Sequence, residues 1–520
     1  MRVSRSVPVA LSIVLGLLVT GCGDSGPSSS DPASLAPPES PLFIEGTVLP
    51  KGQLQADVDQ IASTVAGVDN LGDLIVSELE SSASDEGESF DFDKEVKPWL
   101  GERAGAFFEH FDGEDLTSSG FVLPSTDTDA TQAFIDSQVE GNNDPVEDGS
   151  YEGVDYWVDT GDDEVIGLIG DFYVQTEGKR AFEHAVDASE GDSLADESAF
   201  EDAISGAAEG SLADVFVDIG ALIEQGEGEV DDQVLQALKS AGINPREATA
   251  VASIVPGSDQ VEVDISSETG EEEAPTGNAT ELLGSLPGDS FAAFAVSDFG
   301  EQLEEAVDEL DKKGVPGQIP PGQLKEGIEE LGFNLDEVAA SLEDAGVFAS
   351  GSSEANIGGA FVLTTDDSRE VATAVRVIGV LIRQSDTPGV TALSSNGATG
   401  FSIRDSEELG PQPLVVATKG DRVAIGYGVK QTLQGLAARS GSTLADTPDY
   451  KDAVAALGDT QISGFVKGDS ALQLADSFVP SSDTGFEEAK RYLKAIRFIA
   501  IGSGSEGDLA TAKLIVGLKK

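Results

Sequence analysis

The sequence predicts an α+β fold built twice: two tandem homologous domains from an internal duplication, with mostly antiparallel sheets and packed helices. Three observations carry this. Residues 170–204, GDFYVQTEGKRAFEHAVDASEGDSLADESAFEDAI, return as residues 420–454, GDRVAIGYGVKQTLQGLAARSGSTLADTPDYKDAV, at a constant offset of 250 (Gly170 onto Gly420) with no gap. Gly178/Gly428, Gly191/Gly441, Leu194/Leu444, Ala195/Ala445, Asp196/Asp446 and Ala203/Ala453 are among the identities, and Phe200/Tyr450, Ser193/Thr443 and Arg180/Lys430 are conservative changes. Secondly, strand-like stretches arrive in adjacent pairs between helical ones, which favours antiparallel pairing over βαβ winding. Thirdly, 520 residues exceed what one core organises, while 39% hydrophobic residues and 23 Phe supply material for more than one.

The charge is extreme: 30 Lys plus Arg against 96 Asp plus Glu, a formal net charge of −66. Nucleic acid and anionic membrane surfaces both require a positive footprint, so this balance opposes binding to either. The acidity admits two readings, a bulk adaptation to high salt or a cation-rich envelope, and a dedicated acidic ligand surface. Its spread over both halves favours the first. A single cysteine, Cys22, excludes an intrachain disulfide framework and a cysteine-based metal site, and two histidines are poor material for catalysis or transition-metal binding.

Residues 1–21 read as a lipoprotein signal peptide. Arg2 and Arg5 make the charged start, and residues 7–19 make an apolar stretch too short for a comfortable membrane span. The stretch ends in Val19-Thr20-Gly21-Cys22, which resembles a bacterial lipobox: an aliphatic residue, two small residues, then the cysteine that is diacylated and becomes the mature N-terminus. Two acyl chains give stable anchoring where one does not. Lipidation is therefore expected at Cys22, with the mature protein on the extracytoplasmic face of the cell membrane. Residues 22–41 are rich in Ser, Pro, Gly and Asp, and are expected to be a flexible tether.

The first repeat, 42–267, opens with a strand over 42–48. Helices are expected over 53–65 and 71–79, a polar loop over 81–89, and a short amphipathic segment over 90–100 that ends in Pro98-Trp99-Leu100-Gly101. Residues 104–111 and 119–123 read as paired strands. A helix follows over 128–139, with Asp127 or Thr128 as its N-cap. Residues 151–160 and 164–177 read as a hairpin or three short strands. Helices over 179–188 and 198–205 flank Ser193-Leu194-Ala195-Asp196. A strand over 211–219, a helix over 233–241 and a hairpin over 248–266 complete the repeat.

Residues 268–279, ETGEEEAPTGNA, are acidic and Gly/Pro-bearing, hence a linker. The second repeat, 280–520, answers element by element. Residues 287–296 match 38–48, 333–348 match 92–107 and 361–367 match 121–127; helices are expected over 368–382 and 486–495, and a closing hairpin over 497–518. The duplicated glycines read as strand ends and turns.

Reaction chemistry is mostly missing. G-x-S-x-G, a Walker loop and H-E-x-x-H are absent. Gly502-Ser503-Gly504-Ser505-Glu506-Gly507 fits G-x-G-x-x-G, but between two expected strands it reads as a hairpin turn, with no helix to present to a phosphate. The acidic stretch 144–163, above all Asp159-Thr160-Gly161-Asp162-Asp163-Glu164, offers oxygens to calcium without an EF-hand spacing; a solvated turn is the plainer reading. His184 is answered by Gln434 in the second copy, and with His110 it reads as surface or packing. Trp99, Trp157, Tyr151 and Tyr156 could line a cleft; filling the core of the first domain is the plainer reading.

At Pro98-Trp99-Leu100-Gly101 and the twice-used Ser/Thr-Leu-Ala-Asp, the chain resembles a family of bacterial exported proteins catalogued as domain of unknown function 3352. The resemblance extends over most of the mature chain. It implies a duplicated α+β protein at the cell envelope and supplies no catalytic residues. The second copy carries Ala339-Ala340 opposite Pro98-Trp99, so that motif cannot be essential to both domains. The expected function is a non-catalytic binding or structural module anchored at the membrane by its N-terminal lipid. An extracytoplasmic lipid or solute carrier is the alternative, and an envelope hydrolase follows behind. No cofactor and no nucleic acid is expected, and the partner class is a small molecule, a lipid or another envelope protein.

Overall fold

The structure is a computed structural model that describes residues 31–72, 76, 91–111, 116–141, 145–226, 244–246, 248–268, 277–314, 320–329, 334–384, 387–404, 410–437, 442–479, 484–506 and 509–520. Cys22 and the signal peptide, the helices expected over 233–241 and most of 71–79, the loop over 81–89, and most of the linker lie outside them. The chain divides into two compact units, one of residues 1–275 with 504–513 and 520, the other of residues 276–503 with 514–519. The division falls inside the expected linker. The first unit takes in residues 504–513, a stretch inside the expected second repeat. Lys513 carries the reason: its ammonium lies 3.1 Å from Asp264 and pairs with Glu262, both residues of the first unit.

The first unit has strands β1 (Leu42–Thr47), β2 (Arg103–Phe111), β3 (Leu116–Pro124), β4 (Val146–Tyr151), β5 (Val154–Asp159), β6 (Glu164–Ile169), β7 (Phe172–Glu177), β8 (Ala213–Asp218), β9 (Thr249–Gly257) and β10 (Gln260–Glu268). Their pairings are all antiparallel and run β4-β5-β6-β7-β3-β2-β1-β8-β9-β10. The 151–177 stretch is thus part of a four-strand meander that begins at Val146. Helices are α1 (Gly52–Ala66), α2 (Phe92–Glu95), α3 (Thr128–Gly141), α4 (Lys179–Glu190), α5 (Ser198–Ser205) and α6 (Ile219–Gln225). Asp127 caps α3 by accepting from the Ala130 amide at 3.1 Å, as its position predicts.

Successive strand residues face opposite sides of a sheet, and both sides of this one are covered. Phe43, Phe107, Val122, Val174, Phe182, Leu194 and Phe200 pack on one face. Trp99, Leu100, Leu123, Ile135 and Tyr173 pack on the other. The expected tether needs correction at its distal end. Asp31 caps a 3₁₀ turn, Pro32–Leu35, by accepting from the Ala33 amide, and Ala33, Leu35 and Ala36 are buried in the first of these clusters. A Ser/Pro-rich composition hid three apolar side chains at the spacing of one tight turn.

The second unit contains β11 (Ser290–Val296), β12 (Leu342–Ser350), β13 (Gly358–Thr365), β14 (Val390–Ser395), β15 (Ala398–Ile403), β16 (Leu414–Lys419), β17 (Arg422–Tyr427), β18 (Gln461–Lys467), β19 (Ile496–Glu506) and β20 (Leu509–Leu518). Residues 504–513 of the last two belong to the first unit. The order is β14-β15-β16-β17-β13-β12-β11-β18-β19-β20, with antiparallel pairing from β14 through β19. Position for position, this is the order of the first unit. Helices are α7 (Thr280–Ser285), α8 (Phe299–Lys313), α9 (Leu324–Glu329), α10 (Leu335–Ala340), α11 (Ser368–Gln384), α12 (Val429–Gly435), α13 (Pro448–Leu457), α14 (Gly468–Phe478) and α15 (Thr484–Leu493). Leu283, Phe348, Val362, Leu444, Tyr450 and Phe465 form the core of one face. Leu342, Val371, Val375, Phe401 and Val423 form the core of the other. The chain is therefore α+β with extended antiparallel sheet.

Candidate functional site: an apolar face in the second unit

The strand β11, SFAAFAV, is apolar on both sides. Ala293 and Ala295 point into the core, while Phe294 and Val296 are exposed. Cross-strand pairing lines Phe294 up with its neighbours in a single row. Ile425 of β17 pairs with Phe361 of β13, Phe361 with Val347 of β12, Val347 with Phe294, Phe294 with Gly464 of β18, and Gly464 with Ile501 of β19. Five strand steps of about 4.8 Å make the row about 24 Å long. Ile425, Val347, Phe294 and Ile501 are each 36–43% exposed, and no member of the row is charged. Gly464 is needed in the middle: a Cβ there would stand 2.8 Å from Cδ1 of Phe294. Phe361 is half-buried and packs edge-on against Phe299 of α8, so the exposed members form a stretch from Val347 through Phe294 to Ile501, with Ile425 apart from it.

The matching row of the first unit is Gln175–Phe121–Ala106–Ile44–Val215–Ala252. It is closed there: Phe121 is 7% and Ala106 1% exposed, in a cluster with Phe108, Leu42 and Ile44. Sequence reading did not single out the open row. The signal was present, since β11 lacks the apolar-polar alternation of a half-exposed strand, but a strand buried on both faces reads the same.

Other residues singled out in the sequence fall elsewhere. Trp99 is buried, packs on Phe134 and Tyr173, and donates its indole N–H to the Glu95 carbonyl at 2.6 Å. Trp157 packs on that same face, while Tyr156, next along β5, is buried on the opposite one. Alternation along the strand thus separates the four aromatic residues, and they line no shared cleft. The Trp99 carbonyl accepts from Thr126 N, and the Ser341 carbonyl accepts from Asp366 N. With Leu100 opposite Ser125 and Leu342 opposite Thr365, the residues answering Pro98-Trp99 are Ala340 and Ser341. This corrects the Ala339-Ala340 match by one position. The shift arises because the first unit uses five residue steps, Leu100 to Gly105, against three on its partner strand, where the second uses four, Leu342 to Gly346, against three.

His184 Nδ1 lies 2.6 Å from Glu109 Oε2, and His110 sits exposed near the end of β2. Asp159 folds back to accept from the Gly161 amide at 2.7 Å. Among the described residues no group of three or more His, Cys, Asp or Glu side chains gathers as a metal site. Gly502–Glu506 lie within β19. In the first unit Arg103 bridges Glu45 and Asp214, and Ser211 and Ser253 donate to Asp214 at 2.7 Å each. Burial pushes the Glu45 carboxyl above its usual range while Arg103 pulls it back. Apart from Arg103 these members are largely buried, and their polar groups satisfy one another, which marks a structural network.

A model of the family described as "Protein of unknown function (DUF3352)" matches residues 75–517. No curated protein matches the chain. Among solved structures, crystal form I of TP0453 aligns with 10% identity over 48% of this chain and 82% of its own, at a TM-score of 0.27. Crystal form III aligns with 8% identity over 78% and 98%, at 0.20. Likeness at this level establishes neither a shared fold nor a shared function. Among the described residues, no helix is long and apolar enough to cross a membrane, which says nothing of a β-barrel.

Proposed function

The chain belongs to this family of proteins of unknown function, and on that premise we propose that it is a lipid-anchored cell-envelope protein that binds an acyl chain rather than catalysing a reaction. The observation that carries the proposal is the open apolar row of the second unit. Large contiguous apolar exposure is uncommon on a soluble surface and marks interaction sites, and here it occurs on a chain of net charge −66. The exposed stretch from Val347 to Ile501 spans three strand steps, about 14 Å of uncharged surface. One leaflet of a bilayer core is about 15 Å deep, so a single acyl chain fits along the stretch. The excess of carboxylates disfavours an anionic headgroup and favours a neutral lipid. We propose further that the two units descend from an internal duplication. The gapless repeat and the identical strand orders support this; superposed experimental coordinates of the two units with differing connectivity would remove it.

Native mass spectrometry of the full chain with monoolein, a neutral monoacylglycerol, tests the binding reading. A one-to-one adduct is expected. Phe294→Asp and Val347→Asp put a charge on an exposed position and should abolish the adduct without unfolding the unit. No adduct, or one that both variants retain, overturns acyl binding and leaves the structural-module reading.

A further inference from the structure

A second cavity in the same unit lies away from the apolar row, on the motif that organises the chain. It has a volume of about 470 Å³ and opens between α7, the Thr443-Leu444-Ala445-Asp446 turn and α13. Gly284, Ala445, Val454 and the Tyr450 ring give it an apolar wall, with Glu281 and Lys451 at its edge. The hydroxyls that line it are bonded to protein, with one exception. Thr280 donates to the Ile462 carbonyl, Thr443 to Asp446, and Ser285 to the Leu282 carbonyl while accepting from Arg422. Among the described residues the Tyr450 hydroxyl has no partner, although the residue is only 4% exposed.

Its surroundings place that hydroxyl at the cavity floor. A Cβ on Gly284 would stand 3.4 Å from the Tyr450 oxygen and 3.4 Å from the Ala445 Cβ, ordinary contact distances, and the oxygen itself has almost no accessible surface, so a ligand reaches it by a small displacement of the chain at Gly284. In the first unit the corresponding residue is Phe200, equally buried, in the same place after Ser193-Leu194-Ala195-Asp196. A ring without a hydroxyl therefore satisfies the packing. A buried hydroxyl left unbonded is a net cost to a fold, and no hydrogen bond among the described residues offsets it. Burial also holds the phenol in its protonated form, its pKa pushed up to about 12, so it is a donor at neutral pH.

We infer that this cavity binds a small uncharged molecule with an apolar body and one acceptor oxygen, a carbonyl or ether, which takes the Tyr450 hydroxyl hydrogen. An ion is disfavoured, because the wall is apolar and the edge carries one charge of each sign. This site is separate from the acyl-binding row, and either can fail without the other.

The test uses the full chain labelled at the tyrosine ring Cζ carbon, titrated with cyclohexanone and followed by NMR. One of the six tyrosine signals should shift saturably, and Tyr450→Phe should remove that signal and weaken binding, measured calorimetrically, by about tenfold or more. Tyr450→Phe alone should melt at the same temperature as the parent chain or above it, because the substitution removes the unbonded hydroxyl. Phe294→Asp should leave the cyclohexanone response unchanged. No saturable shift, equal binding by Tyr450→Phe, or a lowered melting temperature for that variant overturns the inference.

Discussion

Gly120 shows how closely single residues are used in these sheets. It pairs across β2 and β3 with Phe107, whose ring lies over it, and a Cβ at 120 would stand 2.2 Å from Cζ of that ring. Phe107 is fully buried, so the ring has nowhere to go. Gly120→Val is expected to destabilise the first unit by about 1–3 kcal/mol through overpacking, read as a lowered urea midpoint with an unchanged slope. Leu194 and Leu444 occupy equivalent buried positions in the two cores. Leu194→Ala should cost about 2–5 kcal/mol by the cavity it leaves, checked by the same unfolding curve. Residues of this kind were legible in the sequence as a duplicated motif, because a buried leucine inside a tight turn tolerates few replacements. The Tyr450 hydroxyl was not legible. Phe/Tyr exchange reads as conservative until burial and the missing partner are known.

At the scale of the element, the duplicated Ser/Thr-Leu-Ala-Asp is a small closed device. Asp196 accepts from the Ser193 amide at 3.1 Å and from its hydroxyl at 2.8 Å; Asp446 accepts from the Thr443 amide at 3.0 Å and hydroxyl at 3.1 Å. The main-chain link is duplicated too: the Leu194 amide donates to the Ala36 carbonyl and the Leu444 amide to the Leu286 carbonyl, both at 2.9 Å. The Ser193 hydroxyl, and then its amide, hold the Asp196 carboxyl below its usual range, and the Thr443 amide and then hydroxyl do the same for Asp446. A carboxyl with a depressed folded pKa contributes stability above its unfolded pKa of about 3.9 and loses it as pH falls through the folded value. Asp196→Asn and Asp446→Asn should therefore lower the urea midpoint at pH 7, and the difference from the parent should shrink below about pH 4. A gap that stays constant down to pH 3 would show that the carboxylate charge is not what the turn uses. The same turns explain why the end of the expected tether is ordered: Ala36 is the partner of Leu194, and a composition rich in Ser and Pro does not reveal a carbonyl's partner.

For the whole molecule, charge and address dominate. A net charge of −66 resists association with anionic bilayers, so the proposed membrane residence rests on the proposed covalent anchor. Cys22→Ala in a lipidating bacterial host is expected to move the full chain from the membrane to the soluble fraction, since on the proposed reading two acyl chains at this residue supply the attachment. Retention of the variant on membranes, after detergent-free fractionation at moderate salt, would mean that another surface holds it there.

The α+β class and most strands and helices could be read from the sequence, as could the signals behind the proposed duplication and the candidate anchor at Cys22, because each depends on local periodicity, spacing or residue identity. The strand order could not, nor the inclusion of residues 504–513 in the first unit, because pairing joins residues far apart in the chain. The openness of the Phe294 row and the closure of its counterpart at Ile44 were likewise decided by tertiary structure. Phe294 and Ile44 are both apolar, and their exposure depends on what the rest of the chain lays over them. The Tyr450 cavity belongs to the same class: the hydroxyl is a letter in the sequence, and its lack of a partner is a fact of packing.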